Sequence, residues 1–280
     1  MTRPRAVAYD AGGIVLRGDA WGEPSGRTAV LLHGGGQTRH AWGGTARVLA
    51  GRGFQAIALD LRGHGESDWP EDGDYRMDAF ADDVRRVAAA FAEPPALVGA
   101  SLGGLAALVA AGESATPVAS ALVLVDVVPR LRPEGVGRIV AFMTGHPDGF
   151  ATLDEAADAV AAYLHHRPWP KDVAGLEKNL RRGADGRYRW HWDPRFISGE
   201  RSIEGTRDPE RLDRAAARLR IPTLLVRGRM SDVVAEEDAR HFFGLLHDGH
   251  YVDVSGAGHM VAGDRNDRFT AAVVDFLTQQ

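Results

Sequence analysis

Ala96-Leu97-Val98-Gly99-Ala100-Ser101-Leu102-Gly103-Gly104 is the stretch that decides the fold of this chain. The apolar run Ala96–Gly99 predicts a strand, and the alanine-rich run Leu102–Ala111 predicts a helix that ends at Gly112. A serine between them, with glycines two residues to either side, is a G-x-S-x-G turn in its strand–turn–helix context. The turn is tight, so side chains at positions 99 and 103 would have no room. It lifts the Ser101 hydroxyl above the sheet, at a helix N-terminus that favours developing negative charge. Ser101 therefore reads as a nucleophile. The backbone N–H of Leu102, just after it, reads as one donor to an oxyanion.

Outward from this turn, short apolar runs alternate with helix-like stretches. Arg5–Tyr9 and Gly13–Gly18 form an expected hairpin around Asp10-Ala11-Gly12. Thr28–Leu32, Phe54–Leu59, Ser120–Val125, Thr223–Val226 and Tyr251–Val254 follow as strands rich in Val, Leu and Ile. Near-continuous apolar runs suit strands buried on both faces. The expected helices are Met77–Phe91, which stops at Pro94-Pro95, then Asp208–Leu219, Asp238–Leu246 and Arg268–Leu277. Alternation of this kind means βαβ units, giving an α/β fold: a mostly parallel, twisted sheet with helices on both faces.

One segment breaks the rhythm. Residues 130–205 show no convincing strand, and helical pieces, prolines and aromatics crowd together there. This predicts a helical cap inserted over a core made of residues 1–129 and 206–280. Trp169, Trp190, Trp192 and Phe142 are the cap's candidates for lining a substrate site. The bland alternative is that these aromatics only pack the cap together.

Two more glycine-rich turns fall after predicted strands. His33-Gly34-Gly35-Gly36-Gln37 follows Thr28–Leu32, and its glycines let backbone N–H groups face a ligand. Gly35 is the favoured second oxyanion donor, Gly36 the less favoured, and His33 reads as a structural bridge between loops. No G-K-[ST] continuation supports a phosphate loop. Gly256-Ala257-Gly258-His259-Met260 follows Tyr251–Val254 and makes His259, among 11 histidines, the candidate general base. The acid has two candidates. Asp232, just beyond Thr223–Val226, is preferred, and Asp126, at the end of Ser120–Val125, is the rival. Asp60-Leu61-Arg62-Gly63-His64-Gly65-Glu66-Ser67 reads as a structural turn with Asp60 and Arg62 paired.

Composition narrows the classes. The 280 residues are 44% hydrophobic and 25% charged, ordinary for a globular enzyme. A net charge of -5 argues against a nucleic-acid partner. With no cysteine, thiol nucleophiles and disulfides are excluded. The adjacent His165-His166 lack a carboxylate cluster, so no metal site is expected and no cofactor. No leader pattern or membrane-length apolar run is read, which predicts a cytoplasmic protein, monomer or homodimer, acting on a small molecule.

These glycine-rich segments together resemble the α/β-hydrolase superfamily across nearly the whole chain. Within that family, epoxide hydrolases and haloalkane dehalogenases need an aspartate where this chain has Ser101. The resemblance implies a serine member: a carboxylesterase, a lactonase, a C–C bond hydrolase, or a cofactor-free perhydrolase or haloperoxidase. Small-molecule receptors with slow hydrolysis share the same triad.

Overall fold

The computed structural model describes residues 3–163, 173–204, 208–255 and 267–280. Eight strands form one sheet in the order β1-β2-β4-β3-β5-β6-β9-β10. They are β1 (Arg5–Asp10), β2 (Val15–Trp21), β3 (Arg27–Leu32), β4 (Phe54–Leu59), β5 (Ala96–Ala100), β6 (Ala121–Val125), β9 (Thr223–Gly228) and β10 (Gly249–Val254). β2 runs antiparallel to β1 and β4, and every other neighbouring pair is parallel. The expected hairpin closes as Asp10 Oδ1 accepts the N–H groups of Gly12 and Gly13.

Every residue of β4, β5, β6 and β9 is buried, because helices cover both faces of the sheet. Side-chain alternation divides the core in two. Val30 and Leu32 face a layer built by α2 (Met77–Ala88), α3 (Leu102–Gly112), α7 (Pro209–Arg218) and α8 (Glu236–Leu245). Ala29 and Leu31 face the other layer, built by α1 (Gly43–Gly51) and α9 (Asp267–Gln279). Helix α1 is absent from the sequence reading, since its glycine ends and weak amphipathicity gave little signal. Asp208 starts α7, its carboxylate accepting the N–H groups of Glu210 and Arg211.

Between β6 and α7 the chain leaves the sheet as an insertion. It carries α4 (Pro133–Thr144), α5 (Leu153–Tyr163) and α6 (Arg195–Ser198). It also carries a small antiparallel pair, β7 (Leu180–Arg182) and β8 (Tyr188–Trp190), which corrects the expectation of a segment without strands. The strands are only three residues long, too short to show a period in sequence.

The order of the central strands positions the site. The chain passes from β3 to β4 on one side of β3, while β5 lies on its other side. Loops leaving β3 and β5 therefore part at the carboxyl edge of the sheet and open a crevice, where ligands bind in open α/β sheets.

Candidate active site

Ser101 sits at the end of β5 with φ 46° and ψ −116° and is itself the residue that starts α3. A non-glycine residue in this conformation is strained, and the surroundings hold it there. A Cβ on Gly99 would lie 2.4 Å from the Gly104 nitrogen, and one on Gly103 would lie 2.6 Å from the Leu32 oxygen. The glycines thus let the β5–α3 turn press against itself and against β3. Gly103 N–H donates to the His33 oxygen at 3.1 Å, tying this turn to the loop after β3. The N–H of Leu102, the first helical residue, is one of those a helix cannot satisfy by itself.

In that loop most polar backbone groups are engaged. Gly34 N–H donates to Gln37 Oε1 at 2.9 Å, and Gln37 N–H donates back to the Gly34 oxygen at 3.1 Å. Gly36 N–H donates to His64 Nε2 at 3.2 Å, so this N–H is spent on the protein. Among the described residues Gly35 N–H has no such partner. The ideal Cβ position of Gly34 is 3.3 Å from the Ser101 Cβ, so the loop and the serine adjoin.

Three buried histidines back the loop. His33 accepts Leu61 N–H at Nε2 (3.0 Å), which leaves Nδ1–H to donate to the Gly34 oxygen (2.8 Å). His64 accepts Gly36 N–H at Nε2, and its Nδ1–H donates to the Arg62 oxygen at 2.9 Å. His191, from the insertion, accepts Gly65 N–H at Nδ1 (2.7 Å), and its Nε2–H donates to the Gly36 oxygen (3.3 Å). Burial pushes His33 down to about 4 and, helped by the neighbouring His33, His64 down to about 3. Burial first, then the cost of placing a second positive charge beside His64, also holds His191 well below its usual value. All three are neutral imidazoles at neutral pH, which these hydrogen bonds require.

The turn after β4 is structural, but its ion pairs differ from expectation. Asp60 and Arg62 are not paired with each other. The Asp60 carboxylate receives the backbone N–H and guanidinium of Arg39 and the N–H of Glu66. Arg62 instead forks onto Asp83 of α2, at 2.7 and 2.5 Å. Neighbours along a turn diverge, so each charge finds a partner from another element.

The two candidate acids lie in different settings. The side chain of Asp232, preferred from sequence, is 44% exposed and accepts from Arg138 Nη2 of α4 at 2.6 Å. Asp126 is fully buried and, like Ser101, adopts a positive φ, 51°. Its Oδ1 accepts Gly228 N–H at 2.9 Å and its Oδ2 accepts the Ser231 hydroxyl at 2.8 Å. The loop after β9 thus sends Ser231, not Asp232, toward the strand ends. The helix after this loop, α8, is capped by Ala235, so Asp232 does not cap it.

Of the aromatics singled out, Trp190 and Trp192 are buried and stacked, with centroids 5.1 Å apart and planes 12° apart. Phe142 packs on Trp190 at 5.3 Å and on Tyr163 at 4.7 Å. Trp192 Cζ3 and Met143 Cε come within 3.5 and 3.4 Å of the ideal Cβ position of Gly36, so this cluster abuts the loop after β3. His259 and Trp169 lie outside the described residues. Sequence reasoning missed His191 and the buried pair of Tyr75 Oη with Asp193 Oδ2 at 2.7 Å. Nothing at position 191 distinguishes it from a packing residue between two tryptophans.

Among the described residues no group of three or more His, Asp or Glu could hold a metal ion. None of the described helices is long and apolar enough to cross a membrane.

Residues 29–265 match the family model of the alpha/beta hydrolase fold. The chain is 35% identical to the esterase Rv0045c of Mycobacterium tuberculosis, over 94% of this chain and 85% of that protein. It is 30% identical to the 3-hydroxybutyrate-oligomer hydrolase of Cupriavidus necator, over 85% of each. Among solved structures, E-2-(acetamidomethylene)succinate hydrolase superposes with a TM-score of 0.83 at 25% identity, over 99% of this chain and 98% of that one. Fold, strained serine turn and relatives agree: this chain is a hydrolase and belongs to the alpha/beta hydrolase fold family.

Proposed function

We propose that the protein is a serine hydrolase. It cleaves a carboxylic ester, lactone or related acyl bond of a small, apolar or aromatic substrate through an acyl-enzyme on Ser101. The observation that carries this reading is Ser101 itself, held left-handed between β5 and α3 beside a loop whose Gly35 N–H has no partner among the described residues. Strained, over-determined residues of this kind cluster at active sites. Esterase and oligomer-hydrolase relatives support an ester as the bond.

In the proposed sequence Ser101 Oγ attacks the acyl carbon while His259, assigned from sequence, takes the hydroxyl proton. The carbonyl oxygen becomes an oxyanion, stabilised by the N–H groups of Leu102 and Gly35. Collapse expels the alcohol, which receives the proton from His259. Water, activated by the same imidazole, then adds to the acyl-enzyme and releases the acid. The orienting carboxylate is assigned to Asp126 in place of Asp232. A buried carboxylate one residue past the strand end, beside the nucleophile's own strand, suits an imidazole partner better than an exposed one already held by Arg138. Residues 130–205 act as a cap whose aromatic face, Trp192 foremost, shapes the acyl or alcohol pocket.

The test is a fluorophosphonate probe with p-nitrophenyl esters, lactones and vinylogous diketones as substrates. Ser101 is expected to be labelled, and Ser101→Ala to lose hydrolysis on the order of a thousandfold or more. Unchanged turnover in that variant, or labelling elsewhere, overturns the proposal. Peroxide-dependent oxidation that outpaces hydrolysis would instead mark a perhydrolase.

A further inference from the structure

His191 belongs to the insertion, yet among the described residues its ring is hydrogen-bonded only to core loops. It accepts Gly65 N–H from the turn after β4 and donates to the Gly36 oxygen in the loop after β3. The N–H of the same Gly36 is held by His64 from the opposite side. Both polar groups of one glycine are thus clamped between two buried imidazoles, whose centroids lie 5.8 Å apart. Gly36 needs such a clamp. Its φ is +76° and it carries no side chain of its own to anchor it.

One residue earlier, the planar trans peptide links the Gly34 oxygen and the Gly35 N–H, which must point in opposite directions. The Gly34 oxygen is tied down by His33 Nδ1–H and Gln37 N–H. The Gly35 N–H is therefore aimed by bonds made on both sides of it, at Gly34 and at Gly36.

We propose that His191 is a positioning residue for hydrolysis: reaching from the insertion, it fixes the Gly36 carbonyl and thereby keeps Gly35 N–H directed at the oxyanion. The insertion thus serves the chemical step as well as covering the substrate. This inference rests on the serine-hydrolase reading of Ser101.

The two imidazole bonds can be separated by substitution. His191→Gln places an amide N–H near the Nε2 position and can still donate to the Gly36 oxygen. In His191→Asn the shorter side chain retains an acceptor near Nδ1 for Gly65 N–H but does not reach Gly36. Steady-state kinetics on p-nitrophenyl butyrate and inhibition by an aryl trifluoromethyl ketone, whose serine adduct carries an oxyanion, are measured alongside thermal midpoints. The expected result is a kcat lowered roughly ten- to hundredfold in the Asn variant with KM changed less than threefold, since removing an oxyanion donor outright costs more than misaiming it. Ketone affinity should fall by the same factor as kcat/KM, and the Gln variant should recover most of both.

A rise in KM with kcat intact would make His191 a substrate contact and overturn the proposal. So would equal losses in both variants, or a lowered thermal midpoint with unchanged kinetics, each of which marks a merely structural role. Failure of the underlying reading shows separately, as retained hydrolysis in Ser101→Ala.

Discussion

Ser101 and Asp126 stand one residue beyond the paired Ala100 and Val125, at the carboxyl ends of the neighbouring strands β5 and β6. Among the described residues they are the only non-glycine residues with positive φ. The two strands end in register, so the strained serine and the strained, buried carboxylate share one edge of the sheet. Asparagine tolerates this backbone as well as aspartate does. Asp126→Asn should therefore fold normally and lose kcat on the order of a thousandfold or more, through loss of imidazole orientation and charge. Asp232→Asn should stay within a few-fold of the parent, because an exposed ion pair contributes about 0–1 kcal/mol. Ester turnover of the two purified variants decides the acid. A crippled Asp232→Asn beside an active Asp126→Asn would return the assignment to the loop after β9.

Packing at the serine turn predicts an asymmetry between neighbours. A Cβ at position 103 would sit 2.6 and 2.7 Å from the Leu32 and His33 oxygens, both backbone atoms of or beside a central strand. Neither can move without disturbing the sheet. Gly103→Ala should cost about 3 kcal/mol or more, or abolish soluble expression, in line with overpacking of a close-packed core. Ser101→Ala keeps the same backbone and adds no atoms, so its stability should lie within about 1 kcal/mol of the parent. Urea unfolding of both variants provides the comparison.

Stability should fall in mild acid. His33, His64 and His191 have native pKa values below the ordinary 6.5, because burial disfavours their charged forms. Below pH 6.5 the unfolded chain binds a proton at each of them while the native state does not. The unfolded state then holds more protons, and unfolding becomes easier as pH drops, until the native groups titrate near 4 for His33 and near 3 for His64. Each such group contributes a slope of at most about 1.4 kcal/mol per pH unit, and all three act in the same direction between pH 6.5 and 5.5. Urea titrations at pH 7.5, 6.5 and 5.5 measure it. His191→Gln should make the slope shallower. A flat profile would show that these imidazoles are not held neutral.

The stacked tryptophans make separable predictions. Trp192 reaches the loop after β3, whereas Trp190 packs on its other neighbours, Phe142 and Phe150. Trp192→Ala should weaken aromatic or long-chain esters relative to acetates by roughly 1–3 kcal/mol in kcat/KM, the usual discrimination of an apolar pocket. Trp190→Ala should lower stability by about 3–5 kcal/mol as a large core truncation, with a smaller change in that ratio. An unchanged ester ratio in Trp192→Ala would assign the whole cluster to cap packing.

The sequence by itself determined the sheet. Eight apolar runs became eight strands. β4, β5, β6 and β9 are buried on both faces and leave near-continuous hydrophobicity that needs no tertiary knowledge to read. The more exposed β1 and β10 were legible from apolar runs at the ends of the pattern. It also determined Ser101 and its flanking glycines, since a sharp strand-to-helix turn has a local steric signature. What only the tertiary structure decided were relationships across distance. Whether Asp126 or Asp232 is buried depends on which loop Arg138 and Ser231 reach, and neither partner is adjacent in sequence to the carboxylate it settles. The pairing of Asp60 with Arg39 and of Arg62 with Asp83 is likewise non-local, as is the convergence of His33, His64 and His191 on one loop. A histidine written between two tryptophans carries no local mark of what it will bond. Burial sets its charge, and the packing of the insertion on the core sets its partners.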